Sequence, residues 1–176
     1  MKLLAFAASN SKQSINKKLV TYASTLLDQV DVKIVDLNDF EMPIYSADRE
    51  EENGIPDLAH AFYQEITQAD ALLISFAEHN GSYTAAYKNI YDWTSRINAK
   101  VFQGKSMVLL STSPGARGAA TVLSVAKTAI PHFGGNVLAD VLVPSFYDNV
   151  DAETGEVTNV DIQNQLKSAV KMLMMT

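Results

Sequence analysis

Short apolar runs alternate with helix-patterned segments from one end of this chain to the other, and that alternation constrains the fold more than any other feature. The runs are Leu3 to Ala8, Val32 to Asp36, Ala71 to Phe76, Met107 to Ser111 and Val137 to Val143. Between the first two, Leu19, Tyr22, Ala23, Leu26 and Leu27 recur at helical spacing, so one face of a helix can pack on a sheet. Leu58, Phe62 and Ile66 repeat the pattern, as do Ala86, Ile90 and Trp93. A fourth helix carries Val122, Val125, Ala126, Ala129 and Ile130 and stops at Pro131 and Gly134-Gly135; a last one carries Ile162, Leu166, Ala169, Val170 and Leu173. Strict alternation with strands too apolar to be half-exposed predicts a five-stranded parallel sheet covered by helices on both faces, in the order 2-1-3-4-5.

This is the flavodoxin-like three-layer α/β sandwich, and residues 1–176 fit one such domain of ordinary size. Lys2 and the first apolar run mimic the start of a signal peptide, but six apolar residues fall short of an h-region and polar residues follow at once. No run approaches the ~20 apolar residues that cross a bilayer. The absence of cysteine excludes disulfides, thiolate metal sites and cysteine nucleophiles, and suits a cytoplasmic protein. A net charge of -6 disfavours nonspecific attraction to nucleic acid or an anionic membrane. The charged runs at Asp48 to Glu52 and Asp148 to Glu156 read as a solvated loop and a turn.

In the predicted sheet a ligand lies beyond the carboxyl ends of the strands, where the order reverses between strands 1 and 3. The loops after strands 1, 3 and 4 should then hold the polar and glycine residues, and they do. The first, Ser9 to Asn16, offers Ser9, Ser11, Lys12, Ser14 and Asn16 where a helix begins, and so favours an anion. It lacks the dinucleotide glycines and the Walker lysine, which leaves a mononucleotide phosphate as its guest; taken alone it reads equally as a turn with a Ser or Asn cap. The second, Glu78-His79-Asn80-Gly81-Ser82, presents backbone donors and acceptors beside Tyr83, Tyr87 and Trp93. A flat heterocycle needs that combination, although the three aromatics also read as core. The third holds Ser113, Gly115, Arg117 and Gly118; the glycines permit close approach or positive φ, and Arg117 suits a phosphate or a ring edge.

These three loops together resemble the NADPH-dependent FMN reductase family, which includes bacterial quinone, chromate and azo-dye reductases. The family's first loop reads G-S-x-R-x-x-S-x-N; Ser9, Lys12, Ser14 and Asn16 match it, with lysine for arginine and Ala8 for glycine. Its second reads P-E-Y-N-x-S before a helix with K-N-x-x-D-W. Glu78, Asn80, Ser82, Lys88, Asn89, Asp92 and Trp93 fit, while Ala77 and His79 replace the proline and tyrosine. Ser113-Pro114-Gly115 resembles its third loop, and Met42-Pro43-Ile44-Tyr45 its Pro-x-Tyr stretch. The resemblance implies FMN, held at its phosphate by the first loop and at the pyrimidine edge of its ring by backbone amides of Glu78 to Gly81. It implies hydride transfer from NADPH or NADH to the flavin and onward to a quinone, dye or similar small-molecule acceptor, in a ping-pong scheme that needs no protein acid, base or nucleophile. It also implies a homodimer or homotetramer, with the helix of Tyr83 to Trp93 and the Pro43 to Asn53 loop as contacts. Lysine gives a point charge where arginine gives a fork, and His79 brings a titratable ring beside the flavin.

Other guests of this topology fit less well. A receiver domain needs carboxylates at the ends of strands 1 and 3, where this chain has Ala8-Ser9 and Ser75-Phe76, and a low-molecular-weight phosphatase needs a loop cysteine. Gly104-Lys105-Ser106 echoes a P-loop, but its first glycine falls on Ala99 and a strand follows. His60, His79 and His132 lack ligand spacing, so no metal site is expected. A flavodoxin-type electron carrier and a nonenzymatic binding module remain open.

Overall fold

The computed structural model describes residues 1–175. Its centre is a five-stranded, all-parallel sheet in the order β2-β1-β3-β4-β5, with β1 at Lys2–Ala8, β2 at Asp31–Val35, β3 at Ala71–Phe76, β4 at Ser106–Thr112 and β5 at Asn136–Val143. The expected flavodoxin-like order is therefore the observed one. The helices are α1 (Ile15–Thr25), α2 (Ala47–Asn53), α3 (Asp57–Gln68), α4 (Ala85–Ile97), α5 (Ala120–Ala129), α6 (Phe146–Asn149) and α7 (Val160–Lys171), with short 3-10 turns at Leu37–Phe40, Ile130–Phe133 and Met172–Met175.

Side chains alternate across a strand, and here both faces are apolar because both are covered. Leu4, Phe6, Leu72, Ile74, Phe76 and Leu109 enter one core, with Phe62, Tyr87, Trp93 and Val122 of α3, α4 and α5. Leu3, Ala5, Leu73, Val108 and Leu110 enter the other, with Leu19, Val20, Phe146 and Leu166 of α1, α6 and α7. Each core separates the sheet from its helices, which fixes the strand ends that carry the loops.

The edges depart from the expectation of fully buried strands. Lys33 and Ile34 of β2 are exposed because β2 has a neighbour on one side only, and β5, at the opposite edge, buries only Val141 and Val143 fully. Leu58 and Val125, placed on inward faces by spacing, are 39% and 40% exposed. α1 ends at Thr25, so Leu26 and Leu27 follow it. Asp48 to Glu52 lies in α2, which is capped by Ser46 and buries none of its residues, rather than in a loop. Asp148 to Glu156 leaves α6 and turns back through a Val150 to Val157 bridge.

Candidate active site

The carboxyl ends of the strands are brought level by the register, which pairs Ala8 with Phe76, Phe76 with Ser111 and Thr112 with Val143. Beyond them lies a cleft of about 260 Å³. The first loop lines it with Ser9, Ser11, Gln13, Ser14, Ile15 and Asn16, the second with Ala77, Glu78 and His79, the third with Thr112, Ser113 and Pro114. Tyr147 reaches it from α6. A larger hollow of about 320 Å³ sits at the amino ends of β1 and β2, between Lys2, Asp31, Lys33 and Glu65; there Lys33 and Glu65 are already paired at 2.6 Å.

The first loop is shaped by its own hydroxyls. Ser9 Oγ accepts from the Ser11 N–H at 3.2 Å, the Ser14 N–H donates to the Ser11 carbonyl at 3.2 Å, and Ser14 Oγ caps α1 by accepting from the Lys17 N–H. The first-turn N–H groups of Ile15 and Asn16 have no acceptor within the helix, and both residues line the cleft. The first loop itself contributes hydroxyls, amides and a helix start, and no carboxylate. Lys12 belongs to the same loop but is exposed and outside the cleft lining. Lys17, a turn further on, is bound to Asp36, whose carboxyl that hydrogen bond, together with the Asn38 N–H, holds below its ordinary range.

Asn16 has a second, structural task. It is 2% exposed; its Nδ2 donates to the Thr112 carbonyl at 3.1 Å, and its Oδ1 accepts from the Thr112 N–H at 3.1 Å and from Ser75 Oγ at 2.7 Å. One amide thus locks α1 to the ends of β3 and β4. Thr84 does the same on the other side, capping α4 while its hydroxyl donates to the Ala8 carbonyl at 3.0 Å.

The second loop is a two-residue hairpin. His79 and Ser82 exchange backbone hydrogen bonds of 3.0 and 3.1 Å, while Asn80 and Gly81 stand between them at φ +52° and +76°. Positive φ at both central positions is the demand that selects Asn-Gly. None of the turn's hydrogen bonds uses the N–H groups of Asn80 and Gly81. Glu78 fastens this hairpin to α5, its Oε2 accepting from the Val122 N–H at 2.9 Å. That carboxylate caps a helix whose own N-cap, Ala119, offers no side-chain acceptor. Behind the hairpin Tyr83 packs between Phe76 and Tyr87, and burial pushes its phenol up to about 12.

The third loop is held against β5 and α6. Ser145 and Phe146 donate backbone N–H groups to the Gly115 and Ser113 carbonyls, both at 3.0 Å. Gly118 has φ +55°, and a Cβ there would lie 2.7 Å from Leu142 Cδ2 and 3.0 Å from the Val143 carbonyl. Of the two expected uses of these glycines, positive φ applies to Gly118 and not to Gly115, around which there is open space. Gly115 and Arg117 lie outside the cleft lining; the guanidinium donates to Thr121 Oγ1 at 3.0 Å on the first turn of α5.

The K-N-x-x-D-W helix motif works at a distance from the cleft. Asn89 accepts from the Tyr45 N–H and donates to the Met42 and Pro43 carbonyls, and Trp93 Nε1 donates to Pro43 at 2.7 Å. The motif therefore straps the Met42 to Tyr45 segment onto α4, with Trp93 in the core.

The sequence pattern that defines NADPH-dependent FMN reductases matches residues 1–148. The chain belongs to this family. FMN reductase membership agrees with the curated relatives: a 2-hydroxy-1,4-benzoquinone reductase from Burkholderia sp is 35% identical over 126 residues, 70% of this chain and 67% of that protein. A quinone reductase from Escherichia coli (strain K12) is 31% identical over 127 residues, 66% of this chain and 63% of its own length. The chain thus spans about two thirds of these relatives. Among solved structures, a flavoenzyme NAD(P)H:(acceptor) oxidoreductase (FerB) from Paracoccus denitrificans superposes with a TM-score of 0.82 at 24% identity, covering 99% of this chain and 95% of that one. It shares the fold. Among the described residues no helix is long and apolar enough to cross a membrane.

Proposed function

We propose that this chain is an oxidoreductase in which bound FMN takes a hydride from NADPH or NADH and passes the electrons to a quinone, dye or similar small acceptor in a ping-pong cycle. The observation that carries this reading is the donor set of the cleft. Hydroxyls, amides and the start of α1 gather at one end, where Ser9, Ser11, Ser14 and Asn16 would hold a phosphate with Lys12 nearby. At the other end, next to His79 but outside the cleft lining, the Asn80 and Gly81 N–H groups, left over by the hairpin, would donate to the pyrimidine edge of a flavin ring. Their partial positive charge would favour the reduced, anionic ring. Glu78, the one acid among the described residues that line the cleft, has an oxygen committed to α5, so the donor set fits a phosphorylated heterocycle.

His79 is exposed at the cleft and would face whatever docks on the open side of the ring. Ser82, Ser113, Gly115 and Arg117 complete the proposed cofactor shell, Arg117 from its rim. No side chain is assigned as acid or base. The chain is further proposed to act in the cytoplasm as a homodimer or homotetramer through α4 and the Pro43 to Asn53 segment, where Ile44 is 75% exposed; a sedimentation mass of one 19.2 kDa chain would refute the assembly.

Initial velocities of the FMN-loaded protein, measured while NADPH or NADH and 1,4-benzoquinone are varied together, test the cycle. Parallel double-reciprocal lines are expected. Converging lines would exclude ping-pong, and no flavin-dependent nicotinamide oxidation would exclude the activity.

A further inference from the structure

Tyr147 enters the cleft from outside all three motif loops. The residue is 62% exposed, although its neighbour Phe146 is fully buried and meets its ring edge-on at 5.4 Å. Core packing therefore accounts for Phe146 and leaves Tyr147 to the cleft that it lines. Its backbone is well anchored. Two hydrogen bonds join Ser145 and Phe146 to the third loop, Ser145 is held at φ +44°, and Asn149 Nδ2 donates to the Pro144 and Ser145 carbonyls at 2.9 and 3.3 Å. Such anchoring favours a fixed position for an exposed side chain.

The side of the sheet decides which end of the cleft Tyr147 serves. Phe146 packs into the core beneath α1 and α7, with Leu19 and Val20. The second loop and its aromatics lead into the opposite core, with Phe76 and Tyr87. Ser113, to which Phe146 is bonded, follows Thr112, and Thr112 is locked to Asn16 at the start of α1. Tyr147 therefore stands at the α1 end of the cleft. Lys12, the cation of the first loop, lies outside the cleft lining, which leaves that end furnished by neutral donors.

Resting on the FMN reading above, we infer that Tyr147 is a further cofactor-binding residue, whose phenol hydroxyl donates a hydrogen bond to the FMN phosphate. The inference turns on the phosphate, so it predicts discrimination between FMN and riboflavin. Apo-protein is titrated with each flavin and binding is read from flavin fluorescence, for the wild type, Tyr147→Phe and Tyr147→Ala. Loss of one hydrogen bond to a charged group predicts that Tyr147→Phe weakens FMN about tenfold or more and leaves riboflavin unchanged. Tyr147→Ala should weaken FMN at least as much. An exposed ring predicts an unchanged melting temperature for both variants. Wild-type affinity for FMN in Tyr147→Phe, or an equal loss for both flavins, would overturn this assignment while leaving the FMN reading intact. A wild-type protein that binds no FMN would overturn both.

Discussion

Replacing Asn16 by alanine tests the construction of the cleft itself. The substitution removes three hydrogen bonds, two to Thr112 and one from Ser75, at 3.1, 3.1 and 2.7 Å. The partners are 1% and 0% exposed, so bulk water does not replace the lost amide freely. An orphaned buried polar group costs about 1–3 kcal/mol. The Ser75 hydroxyl can rotate toward another acceptor, which leaves the two Thr112 groups as the main penalty and a loss of about 3 kcal/mol overall. For a chain of this length that corresponds to a fall in Tm of roughly 6–12 °C. Urea unfolding followed by circular dichroism measures it, with an unchanged m-value showing that the native state is otherwise kept. Ser75→Ala removes one bond and should cost about 1 kcal/mol, and the double variant should be less destabilised than the sum, because the two residues share a bond. A loss below about 0.5 kcal/mol for Asn16→Ala, the size of an ordinary surface change, would show that the lock between α1, β3 and β4 carries no weight.

Three further outcomes follow from the same geometry. Gly118→Ala places a Cβ against Leu142 and the Val143 carbonyl at φ +55°, and should cost roughly 2–4 kcal/mol in chemical denaturation; a neutral result would mean that the third loop is free to move. Glu78→Ala removes the cap on Val122 and should cost about 1 kcal/mol, whereas Glu78→Gln keeps an acceptor and most of that stability; equal losses would point to charge rather than capping. Asp36, its folded pKa depressed first by Lys17, contributes stability that is present above its unfolded pKa and is lost as pH falls through the lower folded value. The stability gap between wild type and Asp36→Asn, at most about 1 kcal/mol for so exposed a pair, should therefore be present at neutral pH and shrink below pH ~4; a gap that widens on acidification would contradict the assignment.

The architecture was readable because β1, β3 and β4 are buried on both sides and so carry unbroken apolar runs. At β2 an edge position admits Lys33 and Asp31, so the apolar signal overstates burial. α2 left no periodic trace because it packs no residue into a core. In the cleft, local chemistry was legible where it concerns neighbours in the chain: the serines of the first loop, and Asn80-Gly81 in a turn that needs positive φ. Long-range partners were not. Nothing near Glu78 announces Val122, 44 residues on, and nothing near Asn16 announces Thr112, 96 residues on. Tyr147 escaped for the same reason, since a single helical turn has no period and its neighbours in the cleft come from other loops. For the glycines the sequence left close approach and positive φ as alternatives, and only the backbone separates Gly118, in the left-handed region, from Gly115, outside it.

The visible absorption of the purified protein, loaded with FMN and recorded without oxygen before and after addition of NADPH and then NADH, tests the central claim most directly. The account predicts a bound flavin whose visible band bleaches on mixing with one or both nicotinamides. A bound flavin that both leave oxidised, or a protein that retains no flavin, would contradict it.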